Sequence, residues 1–274
     1  MDNTEAPNVN GDLPSGESPE EEELNHTDKL VGVFAEPKTM YEKASHFPPR
    51  TVDWIVPLIV LTIFFIASSY IILSNPEIAY NIKHEQLAKI EKSFQEMVDK
   101  GQITEEQAQQ QMNNIEERMS EGTNMVQTVI FTIVKVFLFF FIVSGIYFIT
   151  ARFIFKGEGN YASAMVANGL TAYIDIIQII IATILTIVTG RLFQDTSLAS
   201  LMHIEKATFA GFWLGKLDVI TIWSLAIVSI GLAKMFKSEK MLKYFIFIFG
   251  LWIVWGLLIF GLGQAVPFLR FLGG

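Results

Sequence analysis

Leu170-Thr171-Ala172-Tyr173-Ile174-Asp175-Ile176-Ile177-Gln178-Ile179-Ile180-Ile181-Ala182-Thr183-Ile184-Leu185-Thr186-Ile187-Val188-Thr189 decides the fold. The stretch has about the ~20 residues that an α-helix needs to cross a hydrocarbon core roughly 30 Å thick. Its Ile176-Ile177-Gln178-Ile179-Ile180-Ile181 run does not alternate apolar with polar, as a barrel strand would, so the segment reads as a spanning helix. Stretches 54–73, 126–149, 212–235 and 244–266 share this character. In lipid the backbone must satisfy its own hydrogen bonds, which restricts spanning structures to helices and closed barrels. The expected fold class is therefore all-α: a polytopic membrane protein with five transmembrane helices and an extracytoplasmic helical hairpin.

Charge marks the boundaries. The 274 residues carry a formal net charge of −8, and nine of the 28 acids fall within residues 1–28, which contain no Lys or Arg. The remaining nineteen acids meet twenty bases, so the acidity belongs to the tail. Such a segment has too little apolar surface to offset the entropy of ordering and is expected to be disordered. It lacks the positive start and apolar core of a signal peptide, so no cleaved leader is expected. With no Cys in the chain, disulfides, Cys-ligated zinc and thiol chemistry are excluded.

Bases near the ends of the spans set an orientation. Lys29, Lys38, Lys43 and Arg50 precede the first span, Arg152 and Lys156 lie between the second and third, and Lys237, Lys240 and Lys243 lie between the fourth and fifth. The positive-inside rule then puts the amino terminus in the cytoplasm and the carboxyl terminus outside, in a cell (inner) membrane. Loop 74–124 carries five bases against ten acids and is long enough to translocate regardless of charge. In it, Leu87, Ile90, Phe94 and Met97 recur at helical spacing, Gly101 interrupts, and Met112, Ile115 and Met119 resume. Thr104 and Gln107 form a capping-box pattern at the start of the second helix. The pattern suits a self-contained antiparallel pair, with an oligomerising coiled coil as the alternative. Upstream, Pro37 suits the first turn of a helix whose Met40, Tyr41, Ala44 and Phe47 share a face, a segment expected to lie along the membrane surface.

The chain thus divides into a disordered acidic tail (1–28), a cytoplasmic interfacial segment (29–50), a five-span membrane domain (51–266) containing the hairpin insertion (75–122), and a short carboxyl-terminal tail (267–274).

Residues 30–37, Leu-Val-Gly-Val-Phe-Ala-Glu-Pro, followed by Asp53-Trp54-Ile55-Val56-Pro57-Leu58, resemble the bacterial branch of the Yip (Ypt-interacting protein) domain family. So does 217–233, Leu-Asp-Val-Ile-Thr-Ile-Trp-Ser-Leu-Ala-Ile-Val-Ser-Ile-Gly-Leu-Ala, and so does the Gly157-Glu158-Gly159-Asn160-Tyr161 turn. The family-motif positions are Pro37, Pro57, Asp218, Trp223, Ser224 and Gly231. The resemblance covers roughly 30–266 and implies five spans with a cytoplasmic amino terminus. Eukaryotic relatives engage lipidated Rab-type GTPases; that binding is not carried over here. The chain departs from the family pattern at Ala172-Tyr173-Ile174-Asp175-Ile176, which has no Pro, and in the Glu-rich hairpin.

Lys135, Asp175, Lys216 and Asp218 fall within apolar stretches, where an ionisable group costs about 2.5–3.5 kcal/mol unless paired or hydrated. From the expected span ends and a rise of 1.5 Å per residue, Lys135 lies about 13 Å and Asp218 about 9 Å below the outer end, depths that permit a pair. Asp175, about 7 Å from the cytoplasmic end, lies too far from Lys135. A Lys135–Asp218 pair reads as an interhelical structural contact, with a substrate or proton pathway and independent snorkelling as alternatives. Gly211 and Gly215 form a GxxxG pattern, and Trp54, Trp213 and Tyr244 suit an interfacial aromatic belt. His26, His46, His84 and His203 are dispersed and read as solvated. No catalytic, metal-binding or cofactor-binding motif is read. The expectation is a non-enzymatic membrane protein acting in membrane organisation or as a partner-binding scaffold. It needs no cofactor and binds no nucleic acid; its partners are the bilayer and membrane proteins, and oligomeric state stays open. The rival is a transporter or channel using the charges of spans two and four, disfavoured because neither internal repeats nor broken helices are read.

Overall fold

The structure, a computed structural model, describes residues 22–120 and 125–266. Most of the expected disordered tail, residues 1–21, and the whole carboxyl-terminal tail lie outside the described residues. Helices dominate, and no strand occurs among the described residues.

The described residues open with two short helices, α1 (His26–Ala35) and α2 (Pro37–Ala44). Asn25 caps α1 in a box with Asp28, and Pro37 opens α2, where a missing N–H costs nothing. The first span is α3 (Val52–Leu73), with Pro57 buried inside it. Helices α4 (Pro76–Asp99) and α5 (Glu105–Ser120) form the hairpin. Gly101 turns the chain between them at φ +66°, and the Thr104 and Gln107 side chains each accept from the other's amide at 3.2 and 3.0 Å. Phe94 is buried, as the seam requires.

The second span is α6 (Met125–Ile149), continued by a π-helical turn at Thr150–Ile154. The third, α7 (Tyr161–Thr189), begins nine residues before the apolar stretch, because Asn160 caps it and its first two turns bury Ser163, Ala164, Val166 and Ala167. After a segment holding α8 (Leu198–Leu201) come α9 (Phe209–Gly215), α10 (Val219–Met235) and α11 (Met241–Ala265).

Helix α7 lies at the centre, against α3, α6 and α10. In its most apolar window 39% is buried, against 11% for Val126–Ile154 and 6% for α11, so those two helices present most of their surface to lipid. Small residues let the backbones approach. A Cβ on Gly169 would lie 2.6 Å from the Trp54 Cα, and one on Gly231 would lie 2.8 Å from the Tyr41 ring.

One expectation needs correction. The fourth span is not one straight helix: α9 and α10 meet at 57° across Lys216-Leu217-Asp218, so a broken helix exists after all. Gly215 ends α9, and Asp218, in extended backbone, starts α10 by accepting from the Ile220 and Thr221 amides at 3.0 and 3.1 Å. Alone, α10 is about 26 Å long at 1.5 Å per residue, short of the core thickness. The α1–α2 segment, expected along the membrane surface, packs onto the end of the bundle and buries Val33, Met40, Tyr41 and Ala44.

Candidate functional site

Polar residues gather at the two ends of the bundle. At the amino-terminal end, Asp53 in the first turn of α3 is 1% exposed. Lys29 Nζ donates to its Oδ2 at 2.5 Å, and His26 Nδ1 lies 2.9 Å from its Oδ1. The other ring nitrogen of His26 meets the Tyr173 hydroxyl on α7 at 2.8 Å. Four side chains from α1, α3 and α7 are thereby joined. Beside them, the Tyr41 hydroxyl donates to the Ala167 carbonyl at 3.1 Å, and buried Lys234 at the end of α10 donates to Glu42 at 3.0 Å. Lys234 holds the Glu42 carboxyl below its ordinary range, chiefly by that hydrogen bond.

Asp218 anchors the hairpin end. Besides capping α10, it accepts from Gln178 Nε2 of α7 at 2.8 Å and from the Thr196 amide and hydroxyl, each at 3.0 Å. Nearby, Asp195 accepts from Lys206 Nζ at 2.5 Å, Ser200 Oγ at 2.5 Å and Ser197 Oγ at 2.7 Å. Burial would raise the Asp195 pKa, but the Lys206 charge and these hydrogen bonds outweigh it and hold it below the usual aspartate range. Lys216, at the break, lies over the rings of Trp252 at 4.5 Å and Phe212 at 5.3 Å.

The structure does not bring Lys135 and Asp218 together. Both Asp218 oxygens serve the cap, Gln178 and Thr196, whereas Lys135 is exposed on α6. Asp175 lies on α7 two residues beyond Tyr173, whose hydroxyl belongs to the amino-terminal cluster, and its neighbours are Ser224 and Tyr147. Trp223 packs against Phe34 of α1 at 5.8 Å. The Gly211 and Gly215 face meets Glu205 and Lys206 of the preceding segment, not another spanning helix. Trp213 is 41% exposed and faces outward, but Trp54 stacks on Phe140, and Tyr244 is fully buried beneath Phe155, so those two do not form a belt. His26 is not a solvated histidine. The reading of the sequence missed the Lys29–Asp53 pair; the Asn25-x-x-Asp28 box, which extends α1 toward the tail, was the signal that could have pointed to it.

No group of His, Cys, Asp or Glu suited to a metal ion occurs among the described residues. Comparison with curated proteins and with solved structures returned no match. A family model, the Yip1 domain, matches residues 31–263, which takes in the spanning helices to within two residues of the end of α11, the hairpin, α2 and the second half of α1. A chain matched over that extent, with the apolar helices of a multi-pass membrane protein, belongs to the Yip1 domain family.

Proposed function

We propose that the protein is a non-enzymatic scaffold whose α1–α2 segment, on the cytoplasmic side of a cell membrane, presents a docking face to another membrane protein. One observation carries this reading: α1 and α2 are pinned to three spanning helices by the buried contact of Lys29 with Asp53 and the part-buried contacts of His26 with Tyr173 and Lys234 with Glu42. The pinned helices still turn Val31, 59% exposed, and Phe34, 37% exposed, outward. A fixed face loses little conformational freedom on binding. A photo-crosslinking residue at Val31 should trap a discrete protein in cells, and one at the lipid-facing Val254 should not. Equal or absent trapping at the two positions would refute the scaffold.

The transport reading draws support from the 57° break flanked by Lys216 and Asp218 and from Asp175 at mid-helix. Broken helices and acids within spanning segments recur in ion and substrate pathways. Proteoliposomes carrying a pH-sensitive dye should then acidify faster than empty ones under an imposed proton gradient, and Asp175→Asn should abolish the difference.

A further inference from the structure

Two loops meet at the amino-terminal end and carry a concentration of positive charge that the scaffold reading does not use. Residues 155–160 join α7 to the π-helical turn, and residues 236–240 join α10 to α11. The Glu158 amide donates to the Phe236 carbonyl at 3.1 Å, and a Cβ on Gly157 would lie 2.7 Å from the Phe236 Cβ, so the loops are in close contact. Lys243 ties them from the other side. Its Nζ donates to the Phe155 carbonyl at 3.1 Å and lies 5.0 Å from the Phe155 ring centroid. Arg152, on the π-helical turn, donates to the Gly157 carbonyl at 2.7 Å.

This leaves Lys156, Lys237 and Lys240 exposed, with no ion pair or side-chain hydrogen bond among the described residues. The nearby acids are Glu158 and Glu239, and Glu239 lies 3.8 Å from Lys234. Counting Lys234 and the Glu42 it pairs with, six bases meet three acids around the joined loops. Lys156 and Lys237 both sit at positive φ, 57° and 53°, a conformation disfavoured for a non-glycine residue and held here by the contact between the loops.

The apolar residues flanking this shelf identify its occupant. Phe153, Ile154, Leu242 and Ile246 are 67%, 66%, 72% and 65% exposed, and they belong to the ends of spanning segments. Bases therefore sit where exposed hydrocarbon side chains give way to water. A soluble acidic protein or a nucleic acid would meet the charge but leave these side chains uncovered, whereas a phospholipid supplies a phosphate for the lysines and acyl chains for the apolar edge. We infer that the shelf formed by Arg152, Lys156, Lys237, Lys240 and Lys243 binds the headgroups of anionic phospholipids. The inference is independent of the scaffold reading, since a transporter would carry the same shelf.

The probe is phosphatidylglycerol, with phosphatidylcholine as its neutral counterpart. The full-length protein, purified in detergent and titrated with each lipid, should retain phosphatidylglycerol in native mass spectrometry and melt at a higher temperature with it. Added salt should weaken the effect. At roughly 1 kcal/mol for each base near an anionic surface, the triple variant Lys156→Gln, Lys237→Gln, Lys240→Gln should bind about 100-fold more weakly. Lys89→Gln with Lys92→Gln, on the hairpin, should bind as wild type does. If the triple variant fails to fold, the comparison of the two lipids on the wild-type protein still decides. Equal retention of the two lipids, an unchanged triple variant, or equal stabilisation by a soluble acidic peptide would overturn the inference.

Discussion

Replacing Asp218 by Ala removes the acceptor for the first amides of α10 and strands the Gln178 and Thr196 donors. A lost cap costs about 1 kcal/mol and each stranded buried donor about 1–3 kcal/mol, so Asp218→Ala should melt well below wild type. Lys135→Met should not, because an exposed cation on a lipid-facing helix is no stabilising partner. The double mutant should equal the sum of the two changes; a coupling above about 0.5 kcal/mol would restore the interhelical pair. Asp53 should behave in the opposite way. With Lys29 3% exposed and Asp53 1% exposed, Asp53→Ala leaves a buried lysine uncompensated, at a cost of about 3–5 kcal/mol, and Lys29→Met with Asp53→Leu should recover much of it. Asp195 gives a pH signature. Its pKa in the folded chain is lower than in the unfolded chain, so its contribution is complete above the unfolded value of about 3.9 and disappears as pH falls through the folded value. The gap in melting temperature between wild type and Asp195→Asn should therefore be open at neutral pH and close as the solution is taken below about pH 4.

At the scale of elements, the turn between α4 and α5 depends on Gly101 at φ +66°. Gly101→Val should loosen the hairpin by roughly 1–2 kcal/mol, seen as faster trypsin cleavage at Lys100 with the spanning helices still protected. The hairpin was legible in the sequence because its seam repeats at helical spacing and its cap is local, Thr104 to Gln107. The existence of the spanning helices was legible for the same reason, as long apolar runs. Their limits were less so. Helix α7 buries Ala164, Ala167 and Gly169 in close packing that hydropathy does not register, so its first turns fell outside the apolar run. The break before α10 was signalled by Gly215 and by Asp218 placed to cap Thr221, but within an apolar run the carboxylate read as a buried charge in need of a cation. The His26, Lys29, Asp53 and Tyr173 cluster was not legible, because His26 and Tyr173 are 147 positions apart and no local period connects them.

For the whole molecule, the Cys-free chain allows orientation to be tested directly. Single cysteines at exposed Lys38 and Gln109 lie on α2 and on the hairpin, at opposite ends of α3. In intact cells an impermeant thiol reagent should label Gln109→Cys and spare Lys38→Cys; the reverse pattern would invert the proposed topology. The pinning of α1 and α2 also sets a timetable for biosynthesis. Helix α2 is made early, yet its Glu42 contact with Lys234 spans 192 positions, and the Tyr41 contact with Ala167 spans 126. At about 5–20 residues per second, roughly 10–40 s of translation separate Glu42 from its lysine. Within that interval the Lys29–Asp53 and Tyr41–Ala167 contacts can form as α3 and α7 are made, but a chain terminated before the end of α10 leaves Glu42 without Lys234. Docking of α1 and α2 is therefore graded, gaining a contact with each of these spanning helices as it is made, and is complete only once α10 has followed α3 and α7.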